Sequence, residues 1–569
     1  MDTTPVPGGG EASRALGALA EAYWETRLDE SPATCTYLGI DRGQDRLDER
    51  GPAARARRES TAENLRVRLE ALPPGALEGE DRLTRAILHR MLSEETESYR
   101  HRAWEWELDP LAGPHIEIQD VVGKHVLETP AHGEALVARF REVPGVFDAL
   151  VGDLRDGLAS GRVAPRVAYE RVRSQLGTFL ATPAGATSYD ACADRLPPSW
   201  PGADRESLAR RLREAVTTHV RPAYESLLAF LDADYAGKAR ATVGVASIPG
   251  GTDAYGFAAR RHTTTTLSPE RIHRIGVEEL ERNEAEMLEI AKADGHDGDL
   301  RSYLDVLGRD PRFRLGSREE VLARYASICA RMDARLPEAF RRLPRRGYEI
   351  RALEAWREAD APAAYYQPPP VTGDRPGIFY ANTHDPSSWP TYDMETLSFH
   401  EAVPGHHLQI ALAQEQEGIP TFRRHSHFTA YIEGWAHYTE RLADELGAYS
   451  TPHDRLGMLA GQAWRAVRLV VDTGMHAMGW SRSRAVETMR RVRSGPESDV
   501  ENEVDRYIVW PGQALAYKIG QRTMSEIRER ARRRLGAAFR LDAFHDAVLR
   551  HGALPLSLLE DVVRLWDGR

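Results

Sequence analysis

Apolar residues recur at helical spacing along most of the chain. In "ASRALGALAEAYWETRLDE", Leu16, Leu19, Ala20, Tyr23, Trp24 and Leu28 share one face, and Ser31-Pro32 closes the segment. The stretches "RLTRAILHRMLSEETESYRHRA", "HGEALVARFREVPGVFDALVGDLRDGL" and "DRESLARRLREAVTTHVRPAYESLLAFLDADY" repeat the pattern, and the last ends at the glycine-containing "AGKARATVG". Beyond a turn-rich segment and a threonine run, Ser268 stands as N-cap and Pro269 as first residue of another helix. Ile272, Ile275, Leu280, Met287 and Ile290 supply its apolar face.

The pattern changes between Ala361 and Pro390. There a Pro-Gly turn precedes the short apolar run Gly377-Ile378-Phe379-Tyr380-Ala381-Asn382, which is read as a strand, and helical spacing returns from Thr391. The pattern predicts a mainly α fold with a small sheet beside the segment that carries the chemistry. It divides into a flexible leader at 1–10, a helical lobe at 11–240 and a second lobe at 241–569, the two lobes forming one continuous fold.

Composition narrows the class. The chain has 569 residues, 41% hydrophobic and 28% charged, as in an ordinary soluble globular protein with ample length for a large core. Its net charge of -11 lacks the basic footprint of nucleic-acid or anionic-membrane binding. Cys35, Cys192 and Cys329 lie far apart, without a C-x-x-C pair, which argues against a disulfide framework and for a reducing compartment. With no basic n-region or adequate apolar segment at the start, and no run of about 18 apolar residues later, the expectation is cytoplasmic, without a membrane span. Oligomeric state is left open.

The stretch "SFHEAVPGHHLQ", residues 398–409, carries the candidate chemistry. In H-E-x-x-H the two histidines lie four residues apart on one helical face and can share a metal. Here the fourth position is Pro404, whose ring has no N–H to donate and clashes with the carbonyl of His400. Without Pro404 and Gly405 the motif reads H-E-A-V-H-H, so the pair is read as a two-residue bulge that delivers His406 as second ligand. His407, seven residues after His400 and nearly two turns on, is the rival. Glu433, in "FTAYIEGWAHYTERLADEL" and 27 residues beyond His406, is the candidate third ligand, with His437 four residues later placed to orient it. Two imidazoles and a carboxylate leave a position open, as in catalytic zinc sites.

"FHEAVPGHHLQ", "YIEGWAHYTE", "RLVVDTGMHAMGWSR" and "DRYIVWPGQALAYKIG" together resemble the bacterial family known as domain of unknown function 885. The likeness is concentrated between about Pro376 and Gly520, with weaker echoes across nearly the whole chain. That family looks like a helical zincin related to the neurolysin-like and Taq-type carboxypeptidases, which enclose a deep cleft between two helical lobes. The resemblance implies zinc held by His400, His406 and Glu433, with Glu401 as general base. It also implies a downstream histidine and tyrosine that stabilise the oxyanion, for which His476, with Asp472 four residues before it, and Tyr507 and Tyr517 are the candidates. "GIFYAN" resembles the edge strand that pairs with an extended substrate, Asn382 is a candidate substrate contact, and Arg506 and Lys518 are candidate carboxylate anchors, with a structural ion pair the stronger reading for Arg506.

The expected function is zinc-dependent hydrolysis of peptide or amide bonds in short peptides or small acyl-amino-acid substrates. Two alternatives are an enzyme of specialised metabolism that hydrolyses or rearranges an amide at the same site, and a non-catalytic helical protein with a structural metal. Glu401 speaks against the last, because a structural site has no use for a general base.

Overall fold

A computed structural model describes residues 9–353, 358, 362–371, 375–492 and 497–568. Its described residues are mainly α-helical, with one three-stranded sheet. The chain divides into two compact units, residues 1–254 with 370–373, and residues 255–369 with 374–569.

In the first unit, most of the expected leader, residues 1–8, lies outside the described residues, and the opening helix, Gly9–Glu30, starts inside the remainder of it. Ser31 ends that helix and caps the next, Pro32–Leu38, its Oγ accepting a hydrogen bond from the Thr34 amide. The 31-residue helix Pro130–Ser160 begins at the N-cap Thr129 and buries Phe140 and Phe147 among Tyr189, Tyr224 and Phe179. Cys35, Cys192 and Cys329 are all buried and unpaired.

The second unit holds every residue of the candidate site. Its helix Pro269–Ala293 starts at Ser268, whose Oγ accepts from the Arg271 amide, as the sequence predicts. The sheet has the order β1 (Tyr348–Ala352), β3 (Gly377–Ala381), β2 (Ala364–Gln367), with β1 parallel and β2 antiparallel to β3. "GIFYA" is therefore the central strand, which corrects its expected role at an edge. All five of its residues are buried, as expected of a continuous apolar run covered on both faces, whereas Tyr348-Glu349-Ile350-Arg351-Ala352 alternates with period two at the border. The edge nearest the His400 segment is β2.

Two helix contacts fix the frame around the site. The helices Thr429–Glu445 and Leu515–Leu535 touch backbone to backbone, for a Cβ on Gly434 would lie 2.5 Å from the Gly520 Cα and one on Gly520 would lie 1.9 Å from the Ala430 carbonyl oxygen. A Cβ on Gly276 would lie 2.7 Å from the Leu469 Cβ, so helix Pro269–Ala293 also sits close against helix Pro452–Met478. No helix among the described residues is long and apolar enough to cross a membrane.

Gly520→Ala must separate two packed helices and is expected to cost about 1–3 kcal/mol. Gly17→Ala, in a helix with no atom within 4 Å of the new methyl group, is expected to be neutral or stabilising by up to about 1 kcal/mol. Chemical denaturation of the two variants checks the contrast.

Candidate metal centre

The helix Met394–Glu401 ends at the glutamate of the motif, and a new helix, His406–Gln414, begins after four intervening residues. The expected bulge is thus a full break, with Ala402 through Gly405 outside both helices. Pro404 forbids a continuous ladder, and Gly405 makes the return possible. A Cβ on Gly405 would lie 1.9 Å from the His400 carbonyl oxygen and 2.5 Å from that of Phe399, so only glycine lets the chain fold back over the end of the first helix. Trp435 Nε1 donates to the Pro404 carbonyl at 2.9 Å and ties this crossing to the Glu433 helix.

The fold-back brings His406, and not His407, to His400. The two rings stand nearly perpendicular, with centroids 4.7 Å apart, and each Nε2 lies 3.6 Å from Glu433 Oε2. One ligand atom from each of the three residues falls within 4.8 Å of the others. The other nitrogen of His400 is held by Glu440 Oε1 at 2.8 Å, whereas His406 Nδ1 is buried without a partner among the described residues. His407 serves the sheet instead: its Nδ1 lies 2.9 Å from the Tyr366 hydroxyl and its ring packs on Tyr348. Burial pushes its pKa down to about 4. Gly377 makes room for Tyr366, since a Cβ there would lie 2.5 Å from the phenol oxygen.

Burial alone would lower the His400 pKa, but Glu433 and Glu440 outweigh it and raise it to about 9. Burial would likewise raise Glu433, yet the two imidazoles hold its carboxyl well below the ordinary carboxylate range. Glu401 faces the edge strand, where its Oε2 accepts from the Tyr366 amide of β2 at 3.0 Å.

The structure separates the expected oxyanion donors. Tyr507 is fully buried and donates to Glu503 at 2.5 Å, and His476, also fully buried, has its Nε2 2.9 Å from the Tyr507 carbonyl and its ring stacked on Tyr255. Asp472 does not orient His476; it accepts from the Tyr255 hydroxyl and the Gly512 amide, and burial raises its pKa to about 7. Tyr517 is half-buried, and its pKa is raised by burial and by the charge of Glu433. The Gly434–Gly520 contact sets it there, one turn before one glycine and beside the residue preceding the other. Arg506 donates to Gln513 Oε1, which turns the Gln513 amide nitrogen toward the Tyr517 oxygen and leaves the phenol proton to be donated elsewhere.

Three further expectations are corrected. His437 bonds to Glu440 at 2.9 Å rather than orienting Glu433. Asn382 is committed to the Glu358 carbonyl and the His384 amide. Arg506 pairs with Glu503, and the buried Lys518 with Gln462 and Glu279, so neither is set aside for a substrate carboxylate. Sequence reasoning missed Glu440, although seven residues bring it back to the face of Glu433. It also missed His427, just before the Glu433 helix. Desolvation by the protein around it lowers the His427 pKa, with Glu433 opposing and His406 adding to the shift.

Fold and donor set together define a mainly helical protein with a His-His-Glu cluster suited to a metal. The chain belongs to the family described as "Bacterial protein of unknown function (DUF885)", whose profile matches residues 32–563. It is similar to the crystal structure of "the putative lipoprotein from Colwellia psychrerythraea", with TM-score 0.92 and 27% identity over 98% of this chain and 99% of that one. A "putative lipoprotein of unknown function from Shewanella oneidensis" shares the fold at TM-score 0.76 and 16% identity, over 98% of this chain and 100% of that one. No curated protein matches the chain.

Because His400 must lose a proton to act as a ligand and carries it up to about pH 9 in the metal-free protein, apparent zinc affinity is expected to rise about tenfold per pH unit between pH 7 and 9. Competition with a chromophoric chelator across that range checks it, and a flat profile contradicts it.

Proposed function

We propose that the protein is a zinc-dependent hydrolase of peptide or amide bonds in short peptides or small acyl-amino acids. We further propose a zincin-like relationship to the neurolysin-like and Taq-type carboxypeptidases. One observation carries the reading: three ligand atoms from His400, His406 and Glu433 converge within 4.8 Å, and Glu401, the residue directly after the first ligand, is held at the adjoining strand edge. A zinc ion held there supplies Lewis-acid polarisation of a carbonyl and acidifies a water molecule.

The remaining steps belong to the chain. Glu401, with one oxygen fixed by the Tyr366 amide, has the other as proton acceptor for the attacking water, and it returns that proton to the leaving amine. Tyr517, whose oxygen faces the Gln513 amide, donates its phenol proton as a hydrogen bond to the developing oxyanion. Tyr507 and His476 hold the scaffold behind Tyr517 rather than touching substrate. In the register of β2, the Asn382 amide pairs inward with the Ala363 carbonyl, so the backbone groups of Ala364 and the Tyr366 carbonyl turn to the free edge, where an extended substrate can add as a further strand, while the Tyr366 amide is kept by Glu401. Small substrate size rests on the family resemblance. No nucleic-acid or membrane partner is part of the proposal.

A cytoplasmic location belongs to the same proposal and rests on the three unpaired cysteines. The word lipoprotein in the descriptions of both structural relatives points the other way for those proteins, and cell fractionation decides for this one.

A panel of short peptides and N-acyl amino acids, assayed with the zinc-loaded protein, tests the reading. Glu401→Gln is expected to keep zinc and lose at least about 10²-fold in kcat. Tyr517→Phe is expected to lower kcat by about 10²–10³-fold with little change in KM, the pattern of a donor used only in the transition state. Turnover that persists in Glu401→Gln contradicts the proposal.

A further inference from the structure

Behind the metal ligands lies a buried polar chain that the proposed reaction does not use. Glu440 is fully buried on the Glu433 helix. Its Oε1 lies 2.8 Å from His400 Nδ1 and 3.6 Å from Arg465 Nη2, while its Oε2 lies 2.9 Å from His437 Nδ1 and 3.1 Å from Gln462 Nε2. Gln462, fully buried on helix Pro452–Met478, has its Oε1 2.9 Å from the Nζ of Lys518. Lys518 is 1% exposed, is one of only four lysines in the chain, and is paired with Glu279 at 3.4 Å.

The hydrogen-bond directions along this chain are fixed by its two charged members, the lysine that orients Gln462 and the carboxylate that only accepts. A lysine ammonium only donates, so the Gln462 oxygen must face it and the Gln462 amide nitrogen must face Glu440. Glu440 then accepts from Gln462, and its other contacts must donate as well, because a lone pair of His400 or His437 turned to a carboxylate oxygen at 2.8–2.9 Å would be repelled. His400 therefore carries its proton on Nδ1, which leaves Nε2 as the nitrogen turned to His406 and Glu433. With the opposite tautomer the same ring would present an N–H to the metal position.

We infer that Glu440 is the positioning residue of the metal centre, holding His400 in the tautomer that can ligate, and that Lys518, through Gln462, holds the Glu440 carboxylate in place for that bond. The inference rests on the metal-site reading above. It assigns the three residues no contact with substrate. Their effect is on affinity for the metal, for which removal of a ligand's hydrogen-bond partner typically costs about 10–100-fold.

The test measures zinc affinity by chelator competition, and imidazole nitrogen resonances of the zinc-loaded protein, for wild type, Glu440→Gln, Gln462→Leu and Lys518→Met. Glu440→Gln is expected to weaken zinc binding about 10–100-fold and to change the His400 Nδ1 resonance, because its amide must turn a donor toward one of the existing donors. Gln462→Leu and Lys518→Met are expected to show smaller losses in the same direction, with Glu440→Asp restoring part of the loss. Unchanged affinity in a folded Glu440→Gln protein overturns the inference. Where that variant does not fold, unchanged affinity and an unmoved His400 resonance in both other variants overturn it. A wild-type protein that binds no zinc overturns the metal-site reading as well, so the two failures are distinguishable.

Discussion

The candidate site depends on one close approach, that of Gly405 to the carbonyl of His400. A regular helix would carry the residue four positions on past the same face, but proline occupies that position and stops the ladder. The chain then turns back so tightly over the end of its own helix that no side chain fits at Gly405. This brings His406 against His400 at right angles, a geometry that a straight helix does not offer. The neighbouring His407 is carried to the other side, where it joins the sheet through Tyr366.

The rest of the second unit supports that turn. Trp435 ties the Pro404 carbonyl to the helix that bears Glu433 and Glu440, so the break and the third ligand move as one piece. The glycine contact between this helix and Leu515–Leu535 then determines which downstream side chains can approach Glu433. Tyr517 lies on the near side of that contact and Lys518, the next residue, on the buried side, where it reaches Gln462. Adjacent positions on one helix thus face the proposed chemistry and the framework behind it.

Much of this was legible in the sequence. Helical periodicity, the Ser268 cap and the continuous apolar run at 377–381 were local signals, and the structure follows them. His400, His406 and Glu433 were legible because proline and glycine together inside a ligand motif demand a backbone explanation. The misplaced residues share a different cause. Whether Asp472 bonds to His476 or to Tyr255 is decided by a helix more than 200 positions upstream, and spacing on one helix carries no trace of it. Resemblance alone makes 377–381 an edge strand, because strand order is a tertiary property, although the unbroken apolar run, beside the alternating β1, does mark a centre. Glu440 was within reach, at a two-turn spacing from Glu433, but His437 at the one-turn spacing drew the assignment away.

The central claim is that His400, His406 and Glu433 hold a metal and that His407 does not. It is tested most directly by metal analysis, using plasma mass spectrometry after purification without chelators, of the wild-type protein beside its His400→Ala, His406→Ala, His407→Ala and Glu433→Ala variants. The account predicts near-stoichiometric zinc in the wild type and in His407→Ala, and its loss in the other three. Zinc retained in all four folded variants, or lost with His407 and kept without His406, would contradict it.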